Sequence, residues 1–247
     1  EFFAILLVFI IWFFYNYKDF FLQIINNPQD NNITISWRRE IFPLQSKVAL
    51  TWISAYLSNY LFLPLLFTYR GPVEAGKMGV SMRISEIVFL ISIAWINTKA
   101  PKYGSLINQK KYNELNKLAL RSSIQAVIVG IVCSIGAVFV ISILNIYKQD
   151  YGSRFLNSGI IAVLCLSSLL NVVMSSIGSY LRAHKKEPMM ILSIILAVLI
   201  SISNSLCSKY FNADIMAISY TLILLFIGMP FSFMILSKKK KEYQLIR

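Results

Sequence analysis

The sequence predicts an all-α fold, a polytopic membrane helix bundle, and three observations carry that expectation. Seven long apolar segments fill most of the 247 residues, none shows the apolar/polar alternation of a barrel strand, and Lys and Arg gather on every second connection. Composition agrees, since 57% of residues are hydrophobic and 14% are charged, with a mean hydropathy of +0.63. That leaves too little polar surface to coat a soluble globule of this length, so most of the surface must face lipid.

Six segments reach the roughly 20 residues that a helix needs to cross about 30 Å of hydrocarbon. They are residues 48–67, 78–96, 124–146, 159–181, 189–206 and 215–236. A seventh run, residues 2–14, is short by a turn or two, follows Glu1 rather than Met, and has no basic region of the kind a signal peptide carries. It is expected to be a truncated transmembrane helix of a preceding lobe, residues 1–15; a signal anchor or an interfacial segment is the other reading.

The connections on one side hold Lys18, Arg38, Arg39 and Lys47, then Lys99, Lys102, Lys110, Lys111, Lys117 and Arg121, then Arg182, Lys185 and Lys186, and in the tail lysines 238–241 and Arg247. The opposite connections hold Arg70, Lys77, Lys148, Arg154 and Lys209, so basic residues divide 18 to 5. By the positive-inside rule the richer side is cytoplasmic, which places the C-terminus there. The formal charge of +13 is explained by this topology and by anchoring to anionic lipid, and no nucleic-acid partner is expected. Cys133, Cys165 and Cys207 lie in or at the end of three different spans, which gives neither a disulfide framework nor a metal spacing.

Residues 16–46 are expected to form a cytoplasmic linker between lobes, polar around Pro28, with a short interfacial helix over residues 33–42 that carries Trp37, Arg38, Arg39 and Glu40. Residues 47–237 form the six-helix lobe and 238–247 a basic tail. The stretch 69–79 reads as a tight turn, with Gly71, Gly76 and Gly79 permitting unusual dihedrals and Pro72 stopping the preceding helix. Pro101 is expected to end another helix, and Pro64 and Pro230 to kink the spans that contain them.

Arg83 and Glu86 are the charges that lie well inside a span, three residues apart and so on one helical face. A charge in hydrocarbon costs about 2.5 to 3.5 kcal/mol even on a lenient scale, so both should face a bundle interior or a water-filled cavity. Two readings are open. Either Arg83 attracts an anionic group while Glu86 orients it or joins in cation coupling, or the two form a neutral pair that holds helices together. Ser167, Asn171 and Ser175 recur every four residues as a polar stripe continued by Gly178 and Ser179, a pathway lining or interhelical glue. Thr51, Ser54, Ser58 and Asn59, with Tyr56 and Tyr60, form a broader polar region suited to sugar hydroxyls. His184, among basic neighbours, is expected to be solvated. One His, no pair of intramembrane acids, no nucleophile beside a base and no nucleotide loop argue against an enzyme, and no catalytic residue, metal or cofactor is expected.

The stretches WRREIFPL at 37–44, GPVEAGKMG at 71–79, WINTKAPKYG at 95–104 and SYLRAHKKEPMM at 179–190 resemble the O-antigen-type polysaccharide flippases of the MATE-like superfamily. The resemblance implies that the chain is the C-terminal six-helix lobe of such a transporter plus one truncated preceding helix, with the N-terminal lobe of the same protein as a missing partner. It further implies a multi-pass protein of the bacterial inner membrane that exports a lipid-linked oligosaccharide, an undecaprenyl-diphosphate-sugar, by alternating access. On that mapping Arg83 would meet the diphosphate, with Glu86 beside it, and Asn59, Asn171 and Ser175 would contact sugar hydroxyls. A single arginine makes a sparse cationic cavity, which departs from the pattern. A cation-coupled multidrug exporter of the same fold and a membrane polysaccharide polymerase are the competing expectations.

Overall fold

A computed structural model describes residues 7–9, 11–18, 22, 36–147, 152 and 154–245. The chain divides into two compact units, Glu1–Ile41 and Phe42–Arg247. In the first, an apolar helix covers Leu7–Lys18; it runs past residue 15, because Phe13 and Tyr17, one turn apart, pack ring to ring at 5.1 Å. Trp37–Ile41 forms a π-helical turn, and most of the polar linker expected before it lies outside the described residues.

All regular structure among the described residues is helical. In the second unit α1 is Phe42–Tyr60, α2 Phe62–Arg70, α3 Pro72–Asn97 and α4 Ala100–Asn108. They are followed by α5 Tyr112–Tyr147, α6 Ser158–Ala183, α7 Met190–Tyr210 and α8 Ala213–Ile223. A π-helical stretch Leu224–Gly228 then leads into α9, Met229–Leu245. Counted as continuous rods these make six helices long and apolar enough to cross a membrane, the pattern of a multi-pass membrane protein. Five of them cover the segment expected from sequence and extend beyond it at both ends; the other, Met190–Tyr210, starts one residue after the expected 189 and runs four residues past 206.

The interruptions have local causes. Proline cannot donate to the carbonyl four residues back and its ring collides with that group; for Pro64 that carbonyl belongs to Tyr60, and the helix breaks there, leaving α1 and α2 as pieces of 19 and 9 residues. Pro230 has the same relation to Phe226, inside the π-helical stretch, where the Met229 amide donates to the Leu224 carbonyl five residues back. Both prolines thus lie at interruptions of regular α-helix. The turn expected over 69–79 is much tighter: Gly71 alone leaves the helical region, at φ +90°, and Pro72 opens α3 rather than merely ending α2. Gly76 and Gly79 are therefore helical. Pro101 likewise starts α4, after a turn at Thr98–Lys99, instead of ending α3.

Helix α6 is central, with half of its most apolar stretch buried, whereas only 11% of that of α5 is buried. Ile128, Val132, Ile135 and Phe139 of α5 point outward, as a lipid-facing surface requires. Helices α3, α5 and α6 pack together, α1 and α2 lie along α7, and α8 joins α7 to α6. Small residues set the closest approach. A Cβ on Gly130 of α5 would fall 2.7 Å from Ser92 Oγ of α3 and 2.6 Å from Leu169 Cδ2 of α6, so glycine lets three backbones converge. As far as Leu245 the basic tail continues the last helix, where Lys239 pairs with Glu242 one turn on.

Candidate functional site

The charged pair of α3 lies beside Tyr60, at the end of α1. Arg83 Nη1 donates to Glu86 Oε2 at 2.5 Å, and the Tyr60 side chain lies close to the same guanidinium. Both charged side chains remain open, with relative exposures of 59% and 42%. Tyr56 and Tyr60, one turn apart, stack at 4.4 Å between ring centroids with both rings exposed. An open groove of about 670 Å³ runs along α2 and α3, lined by Leu63, Phe67, Val80 and Arg83.

Asn59 and Asn171, far apart in sequence, are drawn to one point. Asn171 Nδ2 donates to the Tyr220 hydroxyl at 3.0 Å, the Tyr220 hydroxyl donates to Asn59 Oδ1 at 3.3 Å, and Asn59 Nδ2 donates to the Ala55 carbonyl at 2.8 Å. Tyr220 is buried edge-on against Phe62, ring centroids 5.3 Å apart. Ser175 is half-buried one turn beyond Asn171 and does not join this chain. Asn59, Tyr220 and Asn171 therefore form one hydrogen-bonded chain and Arg83 and Glu86 a separate pair, with Tyr60, next to Asn59 in sequence, beside the pair. Tyr60 stands out in the sequence beside Asn59; Tyr220 does not, because nothing in its own segment marks it, and only the crossing of α8 over α6 and α1 gives its hydroxyl a role.

The other hydroxyls of α1 are satisfied within their own helix. Thr51 donates to the Lys47 carbonyl, Ser54 to Leu50 and Ser58 to Ser54, at 3.0, 2.8 and 2.9 Å, a back-bonding that makes such residues tolerable in an apolar setting. On α6, Ser167 bonds the Leu164 carbonyl and Ser168 the Ser85 carbonyl of α3. Ser176 pairs with Ser123 of α5. Like Asn171, which bonds Tyr220 of α8, these polar groups of α6 act within and between helices. The three cysteines are free thiols, two of them buried.

At the basic end of the bundle Arg182 folds back over Gly178, whose missing Cβ would lie 3.3 Å from the guanidinium, and reaches the fully buried carboxylate of Glu187 at 3.6 Å. Burial pushes the Glu187 carboxyl up, only partly opposed by Arg182. His184 is not solvated as expected: it lies half-buried edge-on to Tyr180, and burial, then the neighbouring Lys186 charge, pull its imidazole down. Lys186 and Lys239 both pair with Glu242 and hold its carboxyl below the usual range.

At the opposite end Arg70 Nε donates to the Ser208 carbonyl at 3.1 Å, at the last turn of α7. Glu74 Oε1 accepts from the Ala213 amide at 2.6 Å, at the first turn of α8. A cation thus meets a helix C-terminus and an anion a helix N-terminus, each matched to the helix dipole. Among the described residues no group of three or more His, Cys, Asp or Glu is placed to hold a metal ion. Comparison with protein-family models, curated proteins and solved structures returned no match.

Proposed function

We propose that the chain forms part of a membrane flippase that moves a lipid-linked oligosaccharide, with the Arg83 region as its substrate site. One observation carries the reading: on one face of the six-helix unit, at the break of α1, a guanidinium, a carboxylate, two exposed stacked tyrosines and an exposed amide converge. An open ion pair at this depth is too costly to face hydrocarbon, so the face borders a polar cavity, closed by a second helical lobe. In that cavity Arg83 meets the diphosphate. Asn59 and the tyrosine rings meet the sugar, since amides suit hydroxyls and ring faces suit the apolar faces of pyranoses. The breaks at Pro64 and in the π-helical stretch let the lobe bend between inward-open and outward-open shapes.

The test is flipping of a fluorescent undecaprenyl-diphosphate-linked sugar by the full-length protein in proteoliposomes. Arg83→Ala is expected to lower the rate at least tenfold while leaving the protein folded; an unchanged rate would remove Arg83 from the substrate site. A second reading, a cation-coupled multidrug exporter, is favoured by Glu86 standing open beside two exposed tyrosines, an acidic and aromatic combination suited to organic cations. Efflux of a lipophilic cation that depends on Glu86 but not Arg83 would select it.

A further inference from the structure

The hydrogen bonds through Tyr220 run in one direction, from Asn171 Nδ2 to the phenol, from the phenol to Asn59 Oδ1, and from Asn59 Nδ2 to the Ala55 carbonyl. A phenol has one proton, so if it donates to Asn59 it must accept from Asn171, and each amide is held in one orientation. The ring cannot turn away, because it is almost completely buried and Phe62 packs edge-on against it. Asn59 is exposed. With one amide proton and one oxygen lone pair engaged, it retains one donor and one acceptor.

The backbone is arranged to keep Tyr220 in this place. Tyr220, Leu224, Gly228 and Ser232 are all buried and spaced by four, a step that overshoots an α-helical turn by about 40°. The π-helical turn Leu224–Gly228 takes up that excess, so the residues after it stay on the buried side together with Tyr220.

We infer that Tyr220 is a positioning residue that orients Asn59 as a subsite for the neutral hydroxyls of a sugar, separate from the anion end at Arg83. This rests on the lipid-linked oligosaccharide reading above. The remaining donor and acceptor of Asn59 suit sugar hydroxyls, which both donate and accept, and the stacked Tyr56 and Tyr60 rings lie within a turn of it for the sugar face. Tyr220 touches no substrate and acts through Asn59.

The experiment compares binding of two probes by the full-length protein in nanodiscs: undecaprenyl diphosphate, and the same lipid carrying one N-acetylhexosamine. Tyr220→Phe keeps the ring against Phe62 and is expected to weaken binding of the glycosylated probe about tenfold, the scale of one lost hydrogen-bonding arrangement, without changing the bare lipid. Asn59→Ala, on the open side, should reproduce that selective loss, and the double variant should lose little more because the two act as one unit. Equal weakening of both probes by Tyr220→Phe, or no weakening of either, overturns the inference and leaves the flippase reading standing. Wild-type protein that binds neither probe removes the flippase reading, and the inference with it.

Discussion

Glu187 shows how one residue's setting governs its contribution. Its carboxylate is fully enclosed, and Arg182 at 3.6 Å is the charge that offsets it. Removing one member of such a pair leaves an uncompensated buried charge, whereas removing both costs far less. Arg182→Ala should therefore lower stability by about 2 to 3 kcal/mol, and Arg182→Ala with Glu187→Gln should recover most of it, read as melting temperature in detergent. The pH dependence follows from the direction of each shift. Because Glu187 is raised above its ordinary value of 4.5, the folded protein takes up that proton more readily than the unfolded chain. Its burial costs stability at neutral pH, and the cost is relieved as pH falls toward that value. Glu242 is lowered and works oppositely: its pairing with Lys186 and Lys239 is in place above 4.5 and lost as pH falls through its depressed value. Melting curves from pH 7 down to about pH 3 should show Glu187→Gln without the acid-side gain and Glu242→Gln without the acid-side loss below 4.5. Arg83 and Glu86 could be paired from sequence alone, since a spacing of three fixes a shared helical face. Tyr220 could not, because its partners are 49 and 161 residues away.

For whole elements, the α1–α2 break and the far-end clamp make separate predictions. Pro64→Ala restores the amide that proline lacks, and an uninterrupted helix would carry Asn59 and Tyr60 away from Tyr220 and Arg83. Transport should fall while the melting temperature holds or rises, the signature of a functional bend rather than a structural defect. Glu74→Gln weakens a charge-assisted bond to the first amide of α8 and should cost about 1 kcal/mol. The same change should loosen amide exchange protection at the start of α8. Span positions were legible in the sequence because an unbroken apolar run of about 20 residues matches the thickness of hydrocarbon and exceeds what a buried core helix needs. Helix ends were less so. Pro72 and Pro101 looked like terminators but open the following helices, since a first-turn proline has no amide bond to lose.

At the scale of the six-helix unit, contacts gather at two ends. One bears the α6–α7 turn with Arg182, Lys185 and Lys186 and the tail helix that Glu242 ties to it; the other is closed by the Arg70 and Glu74 contacts. The orientation read from the basic residues is open to test by side-specific thiol labelling, once Cys133, Cys165 and Cys207 are replaced by Ser. Cysteines at Lys110 and Lys185 should react only from the cytoplasm and one at Asn157 only from outside; the reverse pattern would invert the orientation. Composition, span length and charge distribution were enough to establish a helical membrane protein, because the cost of a polar backbone or a charge in hydrocarbon depends on local sequence alone. The Asn171, Tyr220 and Asn59 chain and the enclosure of Glu187 were decided by tertiary structure. Helices spaced along the chain by variable turns can cross in many registers, and only packing of their buried faces selects the one that brings these groups together.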